Sequence, residues 1–273
     1  MCRALDVSRA GYYAWRSRET SETDTRRETL TQTLSEIHAE VKGRYGSPRM
    51  HAELVDRGHK CCVNTVARVM REAGIAAKTK RKFRQTTDSN HPHPVAENVL
   101  DREFEPEEPN ASWVADVTYI PTREGWLYLA VVVDLFSRMV VGWSMAATMT
   151  SRLVVDALEM AVVRRPGGSS DLVAHSDRGS QYASEHYQRR VSEEGITCSM
   201  SRRGNCWDNA PMESFFASLK KELVHDEDYA TRDEATASIF EYIEAFYNRV
   251  RRHSSLGYVA PAEFERTHNQ THR

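Results

Sequence analysis

No stretch of this 273-residue chain approaches the uninterrupted apolar length that a bilayer span requires. The first residues, Met1-Cys2-Arg3-Ala4, lack the apolar core of a secretory signal, so the expected location is the cytoplasm. Cysteine is scarce. The five present (Cys2, Cys61, Cys62, Cys198, Cys206) are odd in number, irregularly spaced and without a CxxC pair, which argues against a disulfide framework and against zinc or dithiol chemistry. They read as reduced thiols, and Cys61-Cys62 near His51 and His59 reads as packing rather than a metal site. No long heptad repeat runs through the chain, and net charge is almost absent, at −2 with a pI near 6.6.

What is present is enough apolar sequence for a real core, 40% hydrophobic against 28% charged, and a length that suggests two domains. The near-zero charge conceals an asymmetry. Between Lys42 and Arg84 twelve Lys and Arg stand against three acids (Glu53, Asp56, Glu72), a local excess of nine positive charges that points to a polyanionic partner.

Residues 1–20 carry a short helix signal with Tyr12, Tyr13 and Trp15, and their role is open. Apolar periodicity predicts a helix over 28–41 through Leu30, Leu34, Ile37 and Val41. A second is expected from Ser47-Pro48 to Asp56, with Ser as cap and Pro in the first turn. A third is expected from Asn64, as cap, to Ala73 before Gly74. A short turn between two helices, the second capped, is a helix-turn-helix arrangement. In it Arg68 and Arg71, three apart, would face DNA together, and the basic tail with Lys80, Arg81, Lys82 and Arg84 would track phosphates. The same residues also fit a solvated face on a plain helical bundle, and residues 1–87 alone leave both readings open. Prolines and acids then mark an extended linker at 88–110, ahead of a second domain at 111–273.

That second domain opens with three strand signals, 113–120, 126–134 and 139–145, whose short connections imply an antiparallel meander. A helix over 151–164 follows, then a strand ending at Ser176-Asp177, a helix over 185–194, a strand over 196–200 and a helix opened by Asp208-Asn209-Ala210-Pro211. This order is that of an α/β, ribonuclease H-like mixed sheet with flanking helices. The fold would set Asp116, in mid-strand, beside Asp177, at a strand tip, with Glu213 in the first turn of the last helix closing a cluster of three carboxylates.

Carboxylates about 4 Å apart repel by roughly 4 kcal/mol per pair at an effective dielectric of 20, so such a cluster calls for cations. Oxygen donors alone select Mg²⁺ or Mn²⁺ over zinc. Two such ions about 4 Å apart catalyse in-line phosphoryl transfer without a protein nucleophile, in keeping with the lack of a Ser-His-Asp or Cys-His signature nearby. His175, on the same strand face as Asp177, reads as packing, and Asp134 reads as structural. Two further helices are expected, over 232–249 and from Pro261. Arg249, Arg251, Arg252 and His253 between them form either a DNA-facing strip or a solvated helix end.

The motifs His175-Ser176-Asp177-Arg178-Gly179-Ser180-Gln181-Tyr182 and Ser201-Arg202-Arg203-Gly204-Asn205-Cys206-Trp207-Asp208-Asn209-Ala210-Pro211-Met212-Glu213-Ser214-Phe215-Phe216 resemble the core of bacterial insertion-sequence transposases. More narrowly, they resemble the second-frame (orfB-type) product of insertion sequence family three, whose catalytic domain is similar to retroviral integrases. The resemblance extends to Tyr12-Tyr13-Ala14-Trp15, Gly43-Arg44-Tyr45-Gly46, Val69-Met70-Arg71-Glu72-Ala73-Gly74, Trp113-Val114-Ala115-Asp116-Val117-Thr118-Tyr119-Ile120 and Arg252-His253-Ser254-Ser255-Leu256-Gly257-Tyr258, and so covers nearly the whole chain.

The resemblance implies a DDE triad of Asp116, Asp177 and Glu213, with 35 residues between the last two, and a basic residue seven positions after the glutamate. That residue is Lys220, which shares a helix face with Glu213 and would hold a phosphate near the metals. It implies a transposase cutting and joining double-stranded DNA at element ends, a circular intermediate, assembly of several copies on DNA, and an upstream-frame product that supplies specific end recognition. The alternatives are a ribonuclease H-like nuclease or resolvase without strand transfer, and a non-catalytic DNA-binding regulator.

Overall fold

The computed structural model describes residues 2, 7–19, 21–78, 94–166, 171–202 and 205–271. The chain divides into two compact units, Met1–Lys78 and Thr79–Arg273.

The first unit is helical. A short helix, α1 (Arg9–Arg16), is capped by the Ser8 hydroxyl on Gly11 N–H at 3.0 Å and buries none of its residues. Helix α2 (Glu22–Glu40) begins a turn and a half earlier than apolar periodicity indicates, because Ser21 caps it by accepting from Asp24 N–H at 3.1 Å. That polar first stretch carries a cap but no core residue, so hydrophobic spacing cannot register it. Leu30, Leu34 and Ile37 pack with Met50 and Leu54 of α3 (Ser47–Asp56) and Val66, Val69 and Met70 of α4 (Val63–Glu72). Two expected caps are corrected: Gly46 rather than Ser47 precedes α3, and Cys62 rather than Asn64 precedes α4, its thiol 3.3 Å from the Thr65 hydroxyl. His51 Nε2 meets the Cys61 carbonyl at 2.9 Å, which accounts for that histidine by backbone contact.

The second unit is built on one five-stranded sheet in the order β3-β2-β1-β4-β5. Strands β1 (Ser112–Thr122), β2 (Gly125–Asp134) and β3 (Val140–Ala146) form the antiparallel meander. Strands β4 (Val173–Ser176) and β5 (Thr197–Met200) add to it in parallel. Helix α5 (Ser151–Arg164) covers β3 so closely that a Cβ on Gly142 would lie 2.1 Å from the Ala157 carbonyl oxygen. Leu153, Val154, Leu158 and Ala161 of α5 share a core with Trp113, Ala130, Val132, Ala174 and Met200. Helix α6 (Glu185–Glu193), capped by Ser184, adds Tyr187 and Val191.

Residues 97–100, within the extended linker expected at 88–110, lie against β5 at the sheet edge. Ser199 Oγ accepts from Val99 and Leu100 N–H at 2.9 and 3.1 Å, Met200 N–H donates to the Glu97 carbonyl, and Leu100 is buried. Part of the outer edge of β5 is covered in this way, a need that composition does not express.

Helix α7 (Ala210–Glu222) follows a 3₁₀ turn over Cys206–Asn209. The helix expected over 232–249 is α8 (Arg232–Phe240) continuing into a π-helical stretch, Glu241–Tyr247, and α9 (Pro261–Thr271) closes the fold. The strip suggested at 249–253 is broken by Arg251, which is buried and bonds Glu222 through Nε to Oε2 and Nη2 to Oε1, both at 2.8 Å. A buried guanidinium needs a carboxylate partner, and this one is spent inside the protein. Among the described residues no helix is long and apolar enough to cross a membrane.

Candidate active site

The site forms where β1, the end of β4 and the start of α7 meet. The parallel register pairs Val114 with His175 and Ala115 with Ser176, so the next pair in line is Asp116 and Asp177. Adjacent strands lie about 4.8 Å apart, which sets the two acids side by side. On its other side Asp116 faces Val131 of β2, so its neighbourhood is apolar.

Helix α7 runs lengthwise along β1. At its start the Asn209 side-chain amide donates to the Ala115 carbonyl at 3.5 Å, and near its end Lys220 Nζ lies 5.1 Å from the centre of the Tyr119 ring. Eleven helical residues advance about 16 Å, and the four strand residues from Ala115 to Tyr119 about 13 Å, so the two elements keep step. Glu213, one turn after Asn209, lies near enough for its charge to act on Asp116. Met212, Phe215, Phe216 and Leu219 bury the neighbouring face of α7, while Glu213 is left exposed.

The electrostatics show the same convergence. Burial, and then the Asp177 carboxylate, push the Asp116 carboxyl well above the usual carboxylate range; Glu213 adds to the rise, while Val117 N–H and Lys220 oppose it. Lys220 is itself pushed down by burial and held up in part by Asp116. It is half-buried and not a solvent lysine.

The carboxylates are engaged with local backbone. Asp116 Oδ1 accepts from Val117 N–H at 2.7 Å, and Asp177 Oδ1 accepts from Gly179 N–H at 2.8 Å. Gly179 is required there, because a Cβ would sit 2.9 Å from that same oxygen. Among the described residues no three His, Cys, Asp or Glu side chains are gathered tightly enough to hold an ion as they stand. The donor set nevertheless fits a hard cation. Three carboxylates share one electrostatic neighbourhood, and beside them the Asn209 Oδ1 oxygen is buried with no hydrogen-bond partner among the described residues.

His175 packs, as its sequence position suggests. Its ring nitrogens meet Ser199 Oγ at 2.8 Å and Ser201 Oγ at 3.1 Å, and burial lowers its pKa to about 4. Asp134 is structural, accepting from Asn110 and Phe136 N–H, both at 2.8 Å. Asp208 departs from expectation. It caps no helix; it is buried and accepts from Arg202, Arg102 and Asn98, so that the β5–α7 loop is tied to residues 98–102. Helix-start propensity accounts for an Asp before a helix equally well, and for this reason the sequence hid the clamp. Tyr182 and Asn209, also buried at the site, had only their place in the motifs to mark them.

In the first unit, Arg68 and Arg71 are exposed on α4, and Glu72 beside them is paired with Arg27. The expected phosphate-tracking residues Lys80, Arg81, Lys82 and Arg84 lie outside the described residues.

Comparison with known proteins places these units. An HTH-like domain model matches residues 25–83, and two integrase core domain models match 106–206 and 194–261. Transposase InsF for insertion sequence IS3A of Escherichia coli (strain K12) is 45% identical over 267 residues, 97% of this chain and 92% of that protein. The insertion element IS600 uncharacterized 31 kDa protein of Shigella sonnei is 45% identical over 272 residues, 99% of each. Among solved structures, the HTLV-2 integrase catalytic core domain in complex with magnesium is 19% identical, with a TM-score of 0.44 over 58% of this chain and 97% of that one. The BIV integrase catalytic core domain is 17% identical, with a TM-score of 0.44 over 60% and 99%. Integrase core domains work with divalent metal ions, and HTH-like and integrase domains act on DNA. With 45% identity to transposases of insertion sequence IS3 along almost its entire length, the chain belongs to that family of DDE-type DNA transposases.

Proposed function

We propose that Asp116, Asp177 and Glu213 are the catalytic acids of this transposase, and that together they hold two divalent cations, Mg²⁺ or Mn²⁺, for cleavage and joining of DNA at insertion-sequence ends. The observation that carries this reading is the β1–β4 register, which puts Asp116 and Asp177 in line on neighbouring strands, with Glu213 near enough for its charge to act on Asp116. A cluster of like charges on two half-buried aspartates and an exposed glutamate is costly unless cations neutralise it. Bound cations would supply activation of a water or a 3′-hydroxyl and stabilisation of the leaving oxygen.

The chain's own residues do the rest. The β1–β4 register fixes the spacing of the two aspartates, and α7 brings the Glu213 charge within reach of Asp116. Lys220, leaning on Tyr119, presents a cation to the DNA phosphate beside the reacting bond. Arg68 and Arg71 of α4 contact DNA through the first unit, and Lys80, Arg81, Lys82 and Arg84 follow the backbone. Residues 1–87 form the DNA-binding part, 88–110 the connection and 111–273 the catalytic part. The reading extends to action on bacterial DNA in the cytoplasm, with several copies on the element ends and an upstream-frame product aiding their recognition.

The test is a joining assay with element-end duplexes and Mg²⁺. Asp177→Asn and Glu213→Gln should each abolish joined product while leaving duplex binding, measured by gel shift, close to wild type. Joined product at wild-type yield from either variant would remove that residue from the catalytic set, and cleavage without any joining by the wild type would favour a nuclease.

A further inference from the structure

Tyr182 is 2% exposed, and its hydroxyl has no hydrogen-bond partner among the described residues. An orphaned buried hydroxyl carries the full penalty of lost hydration, and a phenylalanine would fill the same space without that cost. The ring is not free to move toward water. Its backbone N–H donates to the Gly179 carbonyl at 3.0 Å, its carbonyl accepts from Gln188 Nε2 at 2.8 Å, and its ring packs edge-on against Tyr187 at 5.1 Å between centroids.

The same short loop serves Asp177: Gly179 donates its N–H to the Asp177 carboxylate and accepts from Tyr182 N–H. The carboxylates whose charge reaches the hydroxyl are Asp116 and Asp177, Asp116 the more strongly. Asp116 uses one oxygen on Val117 N–H, and its other oxygen accepts no hydrogen bond among the described residues.

We propose that Tyr182 is a positioning residue for the cation site: its hydroxyl donates to the Asp116 carboxylate and holds it in the orientation that presents an oxygen to the cation. The inference rests on the assignment of Asp116 under Proposed function. A phenol suits the task because it is a neutral donor that orients a carboxylate without cancelling the negative charge that cations need. Lysine in its place would compete with the cation. The cost of the unpaired hydroxyl is repaid once the site is loaded.

The experiment uses the full chain with Tyr182→Phe, which removes one oxygen and keeps the ring contact with Tyr187. Three quantities are measured: the thermal midpoint without metal, the affinity for Mn²⁺ by calorimetry, and the Mg²⁺ concentration giving half-maximal joining. The metal-free midpoint should be unchanged or higher. Mn²⁺ affinity should fall about tenfold or more, and the Mg²⁺ requirement should rise in proportion, with the joining rate restored at saturating Mg²⁺.

Wild-type Mn²⁺ affinity and an unshifted Mg²⁺ profile would overturn the proposal. If the variant is less stable, the rise of its midpoint with Mn²⁺, taken against its own metal-free value, gives the same comparison. Asp116→Asn serves as the parallel arm. Wild-type Mn²⁺ binding by Asp116→Asn overturns the assignment of Asp116, whereas loss there with no loss in Tyr182→Phe overturns only the role of Tyr182.

Discussion

Arg202 holds Asp208 through two parallel hydrogen bonds, Nε to Oδ2 and Nη2 to Oδ1, each 2.9 Å, while its own backbone N–H bonds Oδ2 at the same distance. Asp208 is fully enclosed, Arg102 and Asn98 complete its partners, and Glu213 begins one turn and a half further on. The clamp therefore fixes where α7 starts.

Asp208→Asn should cost about 2–3 kcal/mol of stability, since it removes a buried carboxylate bonded to charged groups. Arg202 and the other donors hold the Asp208 carboxyl below the usual carboxylate range. Its contribution is thus complete above the unfolded value near 3.8 and is lost as pH falls through the folded one. Urea titrations at pH 7 and below pH 4 should show the variant weakened at neutral pH and the two proteins converging in acid. Equal stability at pH 7 would rule out the clamp.

Lys220→Ala should weaken binding of element-end duplexes and lower the slope of log affinity against log salt by about one, as loss of one phosphate contact requires. Its packing on Tyr119 is worth about 0.5–1 kcal/mol, so the fold should survive. Gel shifts across a salt series would measure both quantities. An unchanged slope would leave Lys220 with packing alone.

His175 is held neutral by burial, with its pKa lowered from 6.5 to about 4. Between those values the unfolded chain takes up a proton that the folded protein refuses, so stability should fall with pH across that window, by about 3 kcal/mol in full. His175→Gln, which can still bond Ser199 and Ser201, should flatten this part of the profile. Chemical unfolding at pH 7 and pH 4.5 is the measurement, and an unchanged slope in the variant would assign the pH dependence to other groups.

Arg251→Met should destabilise by about 3–5 kcal/mol, because it strands the buried Glu222 carboxylate, and Glu222→Leu added to it should recover much of the loss. The Tyr242 hydroxyl bonds the same carboxylate at 2.9 Å and would lose its partner in the double variant, so recovery should be incomplete. Unfolding free energies of the two single variants and the double variant check the coupling. A mild effect from Arg251→Met alone would contradict the buried pair.

Much of this molecule was legible in one dimension. Strands β1 to β3 and helix α5 are read from their apolar patterns within a residue or two, because each buries a face wide enough to impose a period. The acids Asp116, Asp177 and Glu213 stand out through their motifs and their places, in mid-strand, at a strand tip and in a helix's first turn. Polar starts and hidden pairings were not legible. Helix α2 begins on a capped stretch without core residues, Arg251 turns inward where a run of basic residues suggests a DNA-facing strip, and residues 97–100 cover part of an edge that composition cannot reveal.

The amino-acid order by itself determined which elements form and which three acids they carry, since both follow from local periodicity and local motifs. Only the tertiary structure decided that the Tyr182 hydroxyl is sealed from water without a partner among the described residues, that Asp208 ties two loops together and that Lys220 rests on Tyr119. Each of these joins residues distant in sequence, and burial, pairing and electrostatic reach depend on separation in space.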